Sequence, residues 1–178
     1  GVLDSWKGVF EGVLKIIIFL GYIALTALMK DIKRTYMYHG AEHKSIFCYE
    51  KGLPLTVENV RKQIRFHPRC GTSFLVLVLV VSILVSSLVL KIFPALKTVT
   101  WAWIIVKILL IPLIMGVGYE LIRFCGKHNN LLSKIVAAPG LWVQRLTTKE
   151  PEDDMIEVAI AALNEVIPEN PEDDVWGK

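Results

Sequence analysis

The feature that most constrains the fold is a set of long apolar runs. Phe74 to Leu90 holds seventeen residues without a charge, and Val99 to Gly118 holds one charged residue, Lys107. A third run, Val13 to Met29, is apolar except for Lys15. Helices of about 17 to 25 residues span the hydrocarbon core of a bilayer, where backbone groups must bond within their own segment. With 53% hydrophobic residues and a mean hydropathy of +0.49, the chain is predicted to be an all-α integral membrane protein with about three transmembrane helices.

The distribution of basic residues predicts which side of the membrane each loop faces. Residues 30–72 contain nine basic and four acidic residues, whereas residues 91–98 contain two basic ones. Because loops rich in Lys and Arg stay in the cytoplasm, we expect a multi-pass membrane protein with residues 30–72 on the cytoplasmic side. Basic charge beside membrane spans indicates membrane lipid as a partner. The sequence contains no basic patch interleaved with aromatic residues, the pattern that would indicate binding to nucleic acid.

Lys107 is unusual because it lies inside an apolar run. An ionisable residue within the membrane is by default a sign of a functional site. Lys107 is only six residues from Trp101, which is roughly 9 Å along a helix. We therefore favour the alternative, in which its side chain extends to the membrane surface.

The polar segment contains an H-x-x-E-H pattern, His39 to His43. On a helix, residues i and i+4 lie on one face, with i+3 beside them. His39 and His43 can then bind one metal ion, and Glu42 is placed to orient or deprotonate a metal-bound water. The pattern predicts a divalent metal site, with zinc as the expected ion and Glu42 as the general base.

A catalytic zinc ion usually has three protein ligands and one open position. Two residues are candidates for the third ligand: Glu120, at the inner end of the third apolar run, and His67, just before the second. For Glu120 to reach His39, the first helix must break or bend around residues 30–36. Arg69 can stabilise an anionic transition state or hold a lipid phosphate, so we count it with Glu42 as a catalytic candidate.

The three cysteines, Cys48, Cys70 and Cys125, form no C-x-x-C pair. Their odd number beside basic loops indicates reduced cytosolic thiols. Cys70 lies in a loop and can serve as a ligand, although we favour a role as a small buried residue for all three.

Shorter amphipathic helices are predicted outside the membrane. One is Val57–Phe66, with Thr56 as its N-cap. Another is Leu131–Ala138, which Pro139-Gly140 separates from a further interfacial piece, Leu141–Leu146.

The end of the chain differs from the rest in charge. Residues 150–178 hold ten acidic residues and one lysine, whereas residues 1–149 hold nineteen basic and seven acidic residues. Met155 to Val166 has an apolar stripe and lies between two Pro-Glu-Asp-Asp blocks, the second at 171–174. We expect a membrane domain, residues 1–149, and an acidic cytosolic tail helix that docks onto the basic body or a protein partner.

Three longer blocks carry a resemblance to a known family. They are Tyr38 to Gly52, His67 to Phe74 and Pro139 to Asp154. In these blocks the chain resembles the YqhQ-like family of bacterial integral membrane proteins, which are of unknown function and are described as predicted metal-dependent enzymes. The resemblance implies a multi-pass protein of the bacterial cytoplasmic (inner) membrane with a metal site, and it implies no substrate. Family members are longer, with a further Gly-rich N-terminal block, and this chain begins at Gly1, so we expect a piece of a longer protein.

The sequence favours a metal-dependent hydrolase at the cytoplasmic membrane face, peptidase-like in mechanism. One alternative is a non-catalytic membrane scaffold, in which a closed metal site of four protein ligands joins the polar loop to the spans. Another is a lipid-binding or lipid-modifying protein, suggested by the basic interfacial segment 131–147. Three protein ligands plus water indicate the enzyme, and four protein ligands indicate the scaffold.

Overall fold

The computed structural model of the chain describes residues 2–170. These residues form seven α-helices and a short 3₁₀ turn, with no strand among them, which confirms the all-α prediction. Gly1 and residues 171–178, including the second acidic block, lie outside the described residues. The helices are α1 (Val2–Thr26), α2 (Lys30–Glu50), α3 (Val57–Arg61), α4 (Gly71–Ile92), α5 (Thr100–Lys127), α6 (Leu131–Thr147) and α7 (Asp153–Asn164), with the 3₁₀ turn at Pro94–Lys97 between α4 and α5.

Two helices, α4 and α5, are long and apolar enough to cross a membrane. They contain most of the predicted spans 74–90 and 99–118, and the 3₁₀ turn joins them into an antiparallel hairpin. The two helices approach closely at Gly118, where an added Cβ would lie 2.8 Å from the Val78 side chain and 3.3 Å from Phe74. Small residues at such crossings allow two membrane helices to pack.

The first predicted span, 13–29, lies in the second half of α1 and in the break that follows it, and α1 and α2 form a bent pair. The chain turns by 100° at the break between Phe10–Thr26 and Lys30–Glu50, so the pair is a third candidate span only as a broken one. Several apolar side chains of α1, such as Phe10, Ile18 and Leu25, are more than 60% exposed. The break lies a few residues before residues 30–36, where the sequence predicted a break or bend. Because of this break, the axis of α2 points away from that of α1.

The prediction that Pro139-Gly140 divides two short helices is wrong, because α6 is continuous through both residues. Packing explains the difference. A Cβ at residue 140 would lie 2.5 Å from the Ser73 Cβ, so glycine lets α6 approach the start of α4. Proline removes one backbone hydrogen bond of a helix, and contacts with a neighbouring helix can offset that loss. Asn130 caps the start of α6, since its side chain accepts a hydrogen bond from the Ser133 backbone N–H.

The acidic tail helix packs against α2 and α3. Met155, Ile156 and Ala159 of α7 share a small hydrophobic core with Ala41 and Cys48 of α2 and Val60 of α3. The helix α3 ends at Arg61, five residues before the predicted end, and Thr56 caps it as predicted. Residues 153–164 therefore dock onto the body of this same chain.

Ion pairs flank this core and join the tail to the basic loop. Lys44, whose side chain is only 5% exposed, lies 2.6 Å from Glu150, and Arg65 lies 3.1 Å from the same carboxylate. Arg61 forms a further pair with Asp153. Hydrogen bonds from Lys44 and Arg65 outweigh burial and lower the pKa of Glu150.

Candidate metal centre

Three donor side chains converge where α2 meets the loop before α4. His39 and His43 lie one turn apart on α2, and Cys70 immediately precedes α4. Their ligand atoms all lie within 4.8 Å of one another. Two imidazoles and one thiolate form a donor set that suits zinc, so these three residues could hold one metal ion.

Backbone carbonyl groups orient both histidine rings. His39 Nδ1 lies 2.8 Å from the Thr147 carbonyl oxygen, and His43 Nδ1 lies 2.6 Å from the Arg65 carbonyl oxygen. A carbonyl can only accept, so Nδ1 carries the proton in each ring and Nε2 is left as the donor for a metal. Metal-binding histidines commonly show this arrangement, because the second hydrogen bond fixes the tautomer and the ring direction.

The thiol of Cys70 is held among polar groups. Its Sγ lies 3.1 Å from His39 Nε2 and 3.1 Å from Thr72 Oγ1. Burial would raise the pKa of this thiol, but hydrogen bonds from Thr72 and from His39 and His43, when Nε2 of each ring also carries a proton, lower it to about 5. The thiolate that these hydrogen bonds favour is the form that binds metal ions, and a metal ion would replace the Nε2 protons.

A glycine within the H-x-x-E-H pattern lets the end of α6 reach the histidines. A Cβ at residue 40 would clash with the carbonyl oxygen of Lys149. The same segment is fixed by the Lys149 backbone, whose N–H donates to the Tyr36 carbonyl at 2.8 Å. Gly40 thus permits the approach that brings the Thr147 carbonyl to His39.

His67 lies beside the three donors but is not one of them. Its ring centroid is 5.7 Å from that of His43, and the residue is 4% exposed. Burial lowers the pKa of His67, so its 3.5 Å contact with Glu50 is not an ion pair near neutral pH. Its Nε2 atom is buried and has no hydrogen-bond partner among the described residues.

A fully buried glutamine holds the loop that carries His67. The Gln144 side chain of α6 accepts from the His67 backbone N–H at 2.8 Å and donates to the His67 carbonyl at 2.7 Å. The same amide group donates to Ser73 Oγ at 2.6 Å. Gln144 therefore ties the residues on either side of Cys70 to α6, and so fixes the position of the thiolate.

The donors form one wall of an open cavity of about 400 Å³. Glu42 is exposed and lines the same cavity, with His67, Arg69 and Ile46 around it. The Arg69 guanidinium is paired with Glu50. A carboxylate that faces the cavity and a fixed guanidinium beside the donors are the groups needed for proton transfer and for binding an anion.

The structure does not bring Glu120 to the cluster. Glu120 is exposed near the end of α5, and its carboxylate lies 3.6 Å from Arg123 on the same helix. Of the two predicted third ligands, Glu120 is thus elsewhere and His67 is adjacent, and Cys70 is the third side chain of the group that could hold an ion. The fourth histidine, His128, lies apart from the site and stacks on Phe124 with ring centroids 4.6 Å apart.

Comparisons with known proteins agree with the family resemblance. Residues 2–169 match the family described as "Protein of unknown function (DUF1385)". The chain is similar to the "Uncharacterized protein YqhQ" of Bacillus subtilis (strain 168), with 43% identity over 166 residues. This match covers 93% of the chain and 50% of the relative, so the chain spans about half the length of that curated protein. No solved structure matches.

Proposed function

This chain belongs to the DUF1385 family, whose function is unknown, and we propose that it is a metal-dependent hydrolase. The observation that supports this proposal best is the convergence of His39, His43 and Cys70 on the wall of an open cavity. Three protein donors beside open space suit a catalytic zinc ion, which keeps a position for water or substrate. When bound, such an ion supplies Lewis acidity and lowers the pKa of water.

The chain supplies the remaining chemistry through groups that line the cavity. Glu42 follows His39 by three residues on α2 and is exposed to the cavity, so it is the proposed general base and accepts a proton from water. Arg69, positioned by Glu50, is the proposed group that stabilises negative charge on the substrate. The hydrolysed bond is that of a peptide or another acyl compound that reaches the membrane edge beside Gly71, the first residue of α4.

We place this site at the cytoplasmic face of the bacterial inner membrane. The support is the excess of basic residues, nine in 30–72 against two in 91–98. Leu53→Cys, at a position that is 40% exposed, should resist a membrane-impermeant thiol reagent in intact cells. Lys97→Cys, in the turn at the other end of α4, should react. Labelling at residue 53 before lysis would contradict the proposed orientation and place residues 30–72 outside the cytoplasm.

The test of the proposed function separates metal binding from catalysis. Glu42→Gln should keep the metal content of the purified protein, because Glu42 is not among the converging donors. It should lower the rate by roughly 10² to 10⁴ because the general base is lost, and it should fail to complement a deletion strain. His43→Ala should lose the metal itself. A Glu42→Gln protein that complements fully would contradict the hydrolase proposal.

A second candidate function, a structural metal site in a membrane scaffold, has one observation in its favour. His67 Nε2 is buried, unpaired among the described residues and close to the donors. As a fourth ligand it would close the site. Cobalt-substituted protein distinguishes the two candidates: acetohydroxamate should change the cobalt absorption spectrum of a site with an open position and leave a closed site unaffected. His67→Ala should then open the closed site.

A further inference from the structure

A second cavity, of about 390 Å³, lies between α1, α4 and α5. It is lined by Ser82, Ser86 and Ser87 of α4, which are far from the candidate metal centre. Sixteen residues separate Cys70 from Ser86, which corresponds to about 24 Å along a helix. The cavity thus belongs to the opposite half of the membrane hairpin and is independent of the proposed hydrolase site.

Two cationic side chains from different helices face this cavity. Lys15 comes from α1 and Lys107 from α5, and both interrupt otherwise apolar stretches. The Lys107 ammonium lies 5.1 Å from the centroid of the Trp103 ring. Within residues 10–170, neither lysine forms an ion pair with an acidic side chain. A charge inside a membrane helix is costly and usually serves a partner or a ligand.

The lining carries a net positive charge and three hydroxyl groups. Among the side chains that the structure describes, Glu11 is the one acidic residue that lines the cavity, against the two lysines. Positive charge and hydroxyl donors are complementary to a phosphate group. The remaining walls are mostly aliphatic, for example Ile83 and Ile108, and they suit an acyl chain. The volume lies within the range of ordinary small-molecule sites.

We propose that this cleft binds one anionic phospholipid from the leaflet opposite the candidate metal centre. Lys15 and Lys107 would contact the headgroup phosphate, the serines of α4 would donate hydrogen bonds, and the apolar walls would hold the start of an acyl chain. This site gives Lys107 a ligand, in place of the extension to the membrane surface that the sequence favoured.

The Trp103 ring beneath Lys107 offers a local probe for this lipid. In a variant with the other four tryptophans changed to phenylalanine, Trp103 fluorescence can be measured in bilayers that contain brominated lipid. Brominated phosphatidylglycerol should quench Trp103 with an apparent affinity about fivefold above that of brominated phosphatidylcholine, because each net positive charge near the surface contributes roughly this factor. The preference should fall to about one in each of Lys15→Gln and Lys107→Gln, because either substitution cancels the net positive charge of the described lining, and it should not exceed one in the double variant.

Lys97→Gln is the matched control, because Lys97 lies at the same end of the hairpin and outside the cavity lining. Its preference for phosphatidylglycerol should equal that of the parent. Equal quenching by both lipids, or no quenching by either, would overturn the proposal. So would an equal loss in Lys97→Gln, which would indicate general surface charge. Displacement by excess sn-glycerol 3-phosphate would also overturn it, since the ligand would then be a soluble phosphate.

Discussion

Replacing Gly40 by alanine tests how the tail of the chain supports the candidate metal centre. A methyl group at this position meets the Lys149 carbonyl oxygen, a backbone atom that cannot rotate away. The segment 147–149 must therefore move. Two hydrogen bonds depend on its place: Lys149 N–H to the Tyr36 carbonyl and His39 Nδ1–H to the Thr147 carbonyl, both 2.8 Å.

The magnitude follows from three contributions to the free energy of unfolding. Overpacking typically costs about 1 to 3 kcal/mol, and the two hydrogen bonds contribute about 1 kcal/mol each. Alanine regains about 1 kcal/mol over glycine in a helix. We expect Gly40→Ala to lower stability by about 2 to 4 kcal/mol. Loss of the carbonyl that orients His39 should also weaken metal affinity by roughly 10-fold to 100-fold.

Thermal unfolding in detergent can be followed by the reactivity of the three buried thiols, Cys48, Cys70 and Cys125. Metal affinity can be measured by competition with a chelator. Gly21→Ala is the matched control, because a Cβ at residue 21 meets nothing within 4 Å, and it should leave both quantities unchanged or slightly raise stability. A Gly40→Ala protein with the unfolding temperature and metal affinity of the parent would refute the reasoning.

The remaining predictions concern the packing of the tail helix. Ile156→Ala, at a fully buried position, should lower stability by about 2 to 5 kcal/mol, whereas Val158→Ala, at a position that is 53% exposed, should change it by less than about 0.5 kcal/mol. Glu150 has a lowered pKa because of Lys44 and Arg65, so its contribution is present above its ordinary pKa of 4.5 and is lost as the pH falls below that value. Because its side chain is 62% exposed, Glu150→Gln should cost no more than about 1 kcal/mol at pH 7. Chemical unfolding between pH 7 and pH 3 should show the two proteins converging in stability at low pH, and a constant difference would contradict the assignment.

Local sequence patterns predicted the features that depend on neighbouring residues. The uncharged run in α4 predicted a helix long and apolar enough to span a membrane, and the i, i+4 spacing predicted that His39 and His43 share one face of α2. The acidic tail helix was recognised from its apolar stripe. In each case, the residues that determine the structure lie within one or two helical turns of each other.

The features that sequence reasoning missed depend on contacts between distant segments. The sequence offered Cys70 as a possible ligand but favoured a role as a small buried residue, because Cys70 is 31 residues from His39 and no periodic pattern joins them. The sequence did contain one signal for a ligand at this position, because Cys70 directly precedes a predicted span and lies close after His67, a candidate ligand. Pro139-Gly140 looked like a break because the proximity of Ser73 on α4 cannot be read from the local sequence. Gln144 carried no signal, since a lone glutamine on an amphipathic helix usually faces solvent.

The most direct test of the central claim is X-ray absorption at the zinc edge of zinc-loaded protein. The account predicts one sulfur at about 2.3 Å, two imidazole nitrogens at about 2.0 to 2.1 Å and one further light atom from solvent. Cys70→Ala should remove the sulfur contribution, and Glu120→Gln should leave the spectrum unchanged. A zinc site without sulfur, or one that changes with Glu120, would contradict the assignment of His39, His43 and Cys70 as the metal centre.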